Sequence, residues 1–218
     1  MMPAFKDIRL VIFDLDGTLV DAYPAIRDSV NYMMIKMGRP RQSLLTVKRS
    51  VGLGVDNLVR RFIEEGRAEE ALEIFREHHD KRLRKNLKLM PGAKGLLAAL
   101  KARGYRMAIA SNRPAKFCRI ILETLGINEY FFKVVGGDAV KFPKPHPAML
   151  QVILKAARVH ANEALYVGDM FVDIQCGRKA GIFTVAIPTG SCTLAEIKAE
   201  KPDMLINRLS GLRDILLH

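Results

Sequence analysis

The chain has 218 residues, 49% of them hydrophobic, enough to bury one large core or a core plus an insertion, and no apolar run approaches the length of a membrane span. Its 35 Lys and Arg against 23 Asp and Glu give a formal charge of +12, shared between residues 21–88 (15 basic, 10 acidic) and the remainder (20 and 13). This diffuse positive field attracts anionic substrates; with no nucleic-acid motif beside it, it reads as a solvated basic surface, and nucleic acid is not the expected partner.

In chain order, Met-Met-Pro-Ala-Phe-Lys-Asp lacks the apolar core of a signal peptide. Leu10-Val-Ile-Phe13 is an unbroken apolar run, as expected of a strand buried on both faces of a parallel sheet. It runs directly into Asp14-Leu-Asp16-Gly-Thr18. Residues two apart on extended chain point the same way, so both acids can face one spot beyond the strand end. A calcium loop is excluded: counted from Asp14, the position that demands Gly is Leu19 and the one that demands Glu is Ala25.

Residues 21–88 then read as amphipathic helices near 23–37, 55–65 and 68–86, with no convincing strand and with His78-His79 exposed on a charged helix. Leu89-Met-Pro-Gly92 reads as a return linker. From there short apolar runs alternate with helical stretches. Strands are expected at Met107–Ala110, Lys133–Gly136, Ala164–Val167, Ile182–Ala186 and Met204–Ile206, and helices near 93–103, 114–125, 146–157, 171–180 and 209–217. Gly104, Gly126 and Gly181 stand where helix C-caps belong. The fold class is therefore α/β: a Rossmann-like parallel sheet flanked by helices, residues 1–20 and 89–218, carrying a helical insertion, residues 21–88. An insertion leaving from beside Asp16 sits over the carboxyl end of the sheet, which makes it a candidate lid. Cys118, Cys176 and Cys192, widely spaced with no CxxC pair, fit a reducing cytoplasm and buried thiols.

Other strand ends carry polar groups too: Ser111-Asn112, Gly168-Asp169 with Asp173, and the loop Lys144-Pro-His-Pro147. Strand ends of one parallel sheet share an edge, so these groups should meet. Their types suit phosphoryl transfer: a carboxylate nucleophile, a second carboxyl to move a proton, acids for a hard cation, a lysine, and a hydroxyl with backbone N–H groups for the phosphoryl oxygens.

These motifs resemble those of the haloacid dehalogenase superfamily, in its phosphatase branch with a helical cap, over nearly the whole chain. Phe13-Asp14-Leu-Asp16-Gly-Thr18-Leu19 resembles the first motif, Ala110-Ser111-Asn112 the second, Lys144-Pro-His-Pro147 the third, and Gly168-Asp169 with Asp173 the fourth. The resemblance implies Mg²⁺ as cofactor and assigns roles. Asp14 is nucleophile and metal ligand; Asp16 is the general acid/base and binds the metal through its backbone carbonyl. Asp169 is a metal ligand and Asp173 its support. Ser111, Asn112 and Lys144 bind the phosphoryl group, and Thr18 supports the motif loop on that same phosphate-binding side. Asp16 argues for a phosphate ester, since true dehalogenases lack an acid there. Ser-Asn-Arg-Pro at 111–114 leans toward phosphoglycolate phosphatase-like members. A β-phosphoglucomutase-like sugar phosphomutase, a 5′-nucleotidase on the same core, and a non-enzymatic binding protein remain alternatives. Met170 departs from the Ser or Thr usual in these phosphatases. In the cap, Lys48, Arg49 and Asn57 flank Gly52-Leu-Gly54, where related caps place a substrate-contacting loop, and Arg49 is the candidate contact. The expected partner is a small phosphorylated metabolite, the compartment cytoplasmic, the assembly monomer or homodimer.

Overall fold

The computed structural model describes residues 5–217, so the outermost residues of the expected core, 1–4 and 218, lie outside the described residues. The chain enters through β1 (Leu10–Phe13) and passes into β2 (Val20–Asp21). Four helices follow: α1 (Tyr23–Lys36), α2 (Leu44–Ser50), α3 (Val55–Arg60) and α4 (Ala68–Arg82). It returns through β3 (Lys88–Leu89) into α5 (Ala93–Ala102), β4 (Arg106–Ser111), α6 (Ala115–Thr124), β5 (Lys133–Gly136) and α7 (Ala148–Ala157). It ends with β6 (Ala164–Gly168), α8 (Phe171–Ala180), β7 (Phe183–Ala186), α9 (Leu194–Ala199), β8 (Met204–Leu205) and α10 (Gly211–Leu216).

Six strands form one parallel sheet in the order β5-β4-β1-β6-β7-β8. Numbered along the chain without the small ribbon, this is the doubly wound order 3-2-1-4-5-6, whose ligand crevice lies at the carboxyl ends of the strands where the order reverses. That point falls between β1 and β6. All four residues of β1 are buried, with Val11 and Phe13 in the core on one face and Leu10 and Ile12 in the core on the other. Alternation across a sheet covered on both sides explains the unbroken apolar run.

Register then sets the site. Phe13 is level with Ile109 of β4 and Val167 of β6, so positions 15, 111 and 169 lie at one height, at the last residue of β4 and just past the ends of β1 and β6. Asp14 extends the ladder by one bond, its N–H donating to the Val167 carbonyl at 2.9 Å.

Three elements depart from expectation. α2 is a helix where none is expected: it is capped by Ser43, whose hydroxyl accepts from the Thr46 N–H at 3.0 Å, and buries only Val47, so it has no apolar stripe to betray it. α9 is likewise short, with only Ile197 buried, although Thr193 and Glu196 cap it reciprocally in a Thr-x-x-Glu box. The third departure is a two-stranded ribbon where residues 21–88 join the sheet domain, Val20 opposite Leu89 and Asp21 opposite Lys88. Two residues per strand are too few to show alternation. The expected C-cap glycines 104, 126 and 181 all have positive φ.

Helices α1 and α4 form the body of the insertion. Ala68, Ala71, Leu72, Phe75 and His79 make a buried stripe on α4 that packs against Ile26, Val30 and Met33 of α1. The exposed reading of His79 is therefore corrected: it continues that stripe by one turn and is 3% exposed.

Candidate active site

Asp14, Asp169 and Asp173 each offer a carboxylate oxygen within 4.8 Å of the others, and all three are buried. Asp14 stands at the end of β1, Asp169 just past β6, and Asp173 in the first turn of α8. Asp173 also caps its own helix: one carboxylate oxygen accepts from the Met170 N–H at 3.0 Å. Its other oxygen accepts from Lys144 Nζ at 2.7 Å and from the Tyr166 hydroxyl at 2.9 Å. Lys144 reaches in from the loop before α7 and also donates to Asp14 Oδ1 at 2.7 Å and to the Tyr166 oxygen at 2.9 Å. One ammonium thus spans the two carboxylates.

Asp169 is held differently. Thr18 donates to its Oδ1 at 2.7 Å, whereas Oδ2 is buried with no partner. The Thr18 hydroxyl is thereby engaged with Asp169, which takes it away from direct contact with a phosphoryl group. Gly190 lies against that same carboxylate so closely that a Cβ there would collide with Oδ2. Among the described residues the Tyr23 hydroxyl, at the start of α1, and the Ser191 hydroxyl, next to Gly190, are also buried without a partner, and a Cβ at Gly17 would meet both the Tyr23 hydroxyl and Asp169 Oδ2.

Asp16 points toward the insertion. Arg113 Nε donates to its Oδ2 at 2.8 Å and Nη2 to its Oδ1 at 3.1 Å, a two-pronged pair with little solvent access. The remaining arm, Nη1, donates to His79 Nε2 at 2.8 Å. Ser111 is buried and its hydroxyl accepts from the Arg113 N–H at 3.2 Å. Asn112 braces two elements. Its amide donates to the Gly52 carbonyl of the insertion at 2.9 Å and to the Lys144 carbonyl at 3.2 Å, and its oxygen accepts from the Lys144 N–H.

The structure places Arg49 elsewhere. It sits on the seam between insertion and sheet domain, donating to the Ser191 carbonyl at 3.3 Å and pairing with Glu196 at 3.5 Å, and it is not among the residues that line the cavity. Lys48 is nearby, donating to the Thr189 carbonyl at 2.9 Å. Met170 packs against Gly52, where a Cβ would collide with its sulfur.

The charges balance in a telling way. Four carboxylates face two cations, Lys144 and Arg113, which leaves a formal −2. Burial pushes the Asp14 carboxyl up to about 7, against the pull of Lys144, with Asp173 and Asp16 adding to the rise. Burial and then Asp14 and Asp173 raise Asp169 well above the carboxylate range. Burial opposes the charged form of Lys144, but Asp14 and Asp173 outweigh it and its pKa rises. In a metal-free protein protons relieve the excess; a divalent cation would relieve it too. The unpartnered Asp169 Oδ2 and the all-oxygen donor set of Asp14, Asp169 and Asp173 fit a hard cation such as Mg²⁺.

Above these groups lies a cavity of about 60 Å³. Its floor is Asp14, Asp16, Ser111, Asn112, Lys144 and Asp173; its roof is largely apolar, with Ile26, Val51, Val55, Leu58 and Phe75. Reading the sequence alone missed Tyr166, Arg113, His79, Tyr23 and Gly190. Arg113 was visible within Ser-Asn-Arg-Pro without a role, and Tyr166 within an apolar run where its hydroxyl was the only polar group. Burial holds the thiols of Cys118 and Cys176 up at about 12, so they are inert packing groups.

The haloacid dehalogenase-like hydrolase family profile matches residues 11–187. A phosphoglycolate phosphatase of Pseudomonas fluorescens is 35% identical, over 97% of this chain and 83% of its own. One from Yersinia pestis is 34% identical, over 97% and 94%. The crystal structure of a predicted phosphoglycolate phosphatase from Haemophilus somnus superposes with a TM-score of 0.91 at 29% identity, covering 96% of this chain and 98% of that one.

Proposed function

We propose a reaction for this chain on one premise: it belongs to the haloacid dehalogenase-like hydrolase family. It is a phosphatase that hydrolyses a small organic phosphomonoester with Mg²⁺, through an aspartyl-phosphate on Asp14. The observation that carries this reading is the convergence of Asp14, Lys144, Asp169 and Asp173 in one buried cluster at the switch point of the sheet. Residues 21–88 serve as the cap domain over a core made of 1–20 and 89–218.

Asp14, Asp169 and the Asp16 carbonyl would hold Mg²⁺, with Asp173 in support. When bound, it supplies charge compensation for the phosphoryl oxygens and keeps Asp14 ionised. Asp14 attacks phosphorus as the ester P–O bond breaks, and the Asp16 carboxyl gives its proton to the leaving oxygen. The Asp16 carboxylate then takes a proton from water, whose oxygen attacks phosphorus and releases Asp14 and inorganic phosphate. Lys144 neutralises Asp14 before the attack and the phosphoryl group after it. Ser111 and backbone N–H groups bind the phosphoryl oxygens.

The substrate is small. A 60 Å³ cavity is far below the ~300–1,000 Å³ of sites built for drug-sized ligands. Phosphoglycolate leads because the curated relatives carry that name. The trial is phosphate release from a panel of metabolite phosphates with and without Mg²⁺. Wild type should turn over a two- or three-carbon acid phosphate best, and Asp14→Asn should lose about 10⁴-fold or more in kcat. Full turnover by Asp14→Asn removes the nucleophile, and isomerised sugar phosphate in place of free phosphate makes the enzyme a mutase.

A further inference from the structure

The Arg113 guanidinium is the only described link from the Asp16 carboxylate to the insertion, and it is buried on both sides. Two of its nitrogens fork onto Asp16 and the third donates to a histidine that arrives from α4. A guanidinium has no acceptor, so His79 must present a bare Nε2 and carry its proton on Nδ1. The rest of the surroundings agrees with that tautomer. His79 Nδ1 lies 3.0 Å from Ser29 Oγ, and Ser29 donates onward to the Ala25 carbonyl at 3.1 Å, so the Nδ1–H has an acceptor waiting. His78 Nδ1 lies 3.2 Å from the same hydroxyl oxygen. The ring itself is clamped, stacked on Phe75 of α4 at 5.1 Å and meeting the edge of Phe117 from α6 at 6.3 Å.

We propose that Arg113 and His79 are positioning residues that set the Asp16 carboxyl only when the insertion is seated over the sheet. This rests on the reading of Asp16 as the general acid. Ser29 and Phe75 fix the histidine, the histidine fixes the free arm of the guanidinium, and the other two arms fix the carboxyl. In the structure both carboxyl oxygens accept from Arg113; for proton delivery the longer bond, Nη2 to Oδ1 at 3.1 Å, gives way, so that Oδ1 carries the proton to the leaving group while Nε keeps Oδ2 in place. Lifting α4 away takes the histidine with it and leaves the guanidinium free to turn. Proton delivery is therefore assembled by the same contact that closes the cavity, and no further residue of the insertion has to touch the leaving oxygen.

The consequence is a dependence on the leaving group. An alkoxide must be protonated as it departs; an electron-poor phenolate need not be. kcat/KM reports events up to loss of the leaving group, so it isolates the step in which Asp16 is the acid. The experiment compares an alkyl phosphate with p-nitrophenyl phosphate, using the full chain and saturating Mg²⁺. His79→Leu should lower kcat/KM for the alkyl ester about ten- to hundred-fold more than for the aryl ester. His79→Gln, whose amide oxygen can accept from Nη1, should bring the alkyl rate back toward wild type. A general packing defect would lower both esters alike, and that result, or no loss in His79→Leu, overturns the inference. A wild type inert toward both esters instead overturns the phosphatase reading beneath it.

Discussion

The floor and the roof of the cavity are built on opposite principles. The floor gathers four carboxylates and two cations around the ends of strands locked in register, with Lys144 reaching in from a loop and Asp173 from the first turn of α8, and nearly every polar atom there has a partner. The roof is aliphatic and aromatic, and its polar contacts with the floor are one neutral histidine on Arg113 and the Gly52 carbonyl, which accepts from Asn112. Fixed strands suit groups that must meet within tenths of an ångström. An apolar roof suits exclusion of water and selection by size. On the proposed function, the reaction belongs to the sheet edge, and its timing and choice of substrate to the helices above.

Lys144→Met breaks the floor most severely. It leaves Asp14 and Asp173 buried without their shared counter-charge. Turnover should vanish, and the metal-free protein at neutral pH should lose about 3–5 kcal/mol in urea unfolding. Unchanged stability means that protonated carboxyls already carry the site without the lysine.

The two walls should also answer pH with opposite signs. Without metal, burial holds Asp14 at about 7, whereas the unfolded chain releases that proton near 3.8. The folded state binds more protons between those values, so this contribution to stability falls as pH rises from about 4 to 7. His79 is the reverse. Burial, then Arg113 and His78, push it down to about 3 from 6.5. The unfolded chain takes up a proton below 6.5 that the folded one refuses, so this contribution falls as pH drops through that window. Unfolding midpoints in EDTA at pH 4.5 and 6.5 separate them. Asp14→Asn should make stability climb more steeply with pH, and His79→Gln should make it climb less, each by up to about 1.4 kcal/mol per pH unit. Variants that run parallel to wild type would erase the distinction between the walls.

The smallest effect belongs to the seam. Arg49 is half exposed, and its pair with Glu196 is long. Arg49→Ala should cost less than about 1 kcal/mol and leave kcat close to wild type. A large rise in KM would move Arg49 from the seam into the substrate's path.

The carboxylates and Lys144 of the floor and the helices of the roof were legible in the sequence, and the contacts that join floor to roof were not, for a physical reason. Val11 and Phe13 face one core and Leu10 and Ile12 the other, so β1 announces itself as an apolar run, and the acids that end such runs stand out. α8 lies at 171–180, as its pattern indicates. Arg113 and His79 carry no local signature of their meeting, because residues 16, 79 and 113 are joined only by how the helices sit on the sheet. One trace was there. The stripe Ala68, Ala71, Leu72, Phe75 reaches position 79 at the next turn, which outweighs the charged neighbours that made His79 look exposed. The short helices α2 and α9 escaped because each buries a single apolar residue.

The ribbon of Val20 and Asp21 with Leu89 and Lys88 gives the molecule one more property. The chain departs and comes back through neighbouring backbones, so everything between is a closed detour whose ends already touch. Recombination at that junction can exchange one detour for another, longer or shorter, without opening a gap or shifting a single strand beneath. On the proposed function, such an exchange would change what the cavity admits and leave the carboxylates beneath it in place.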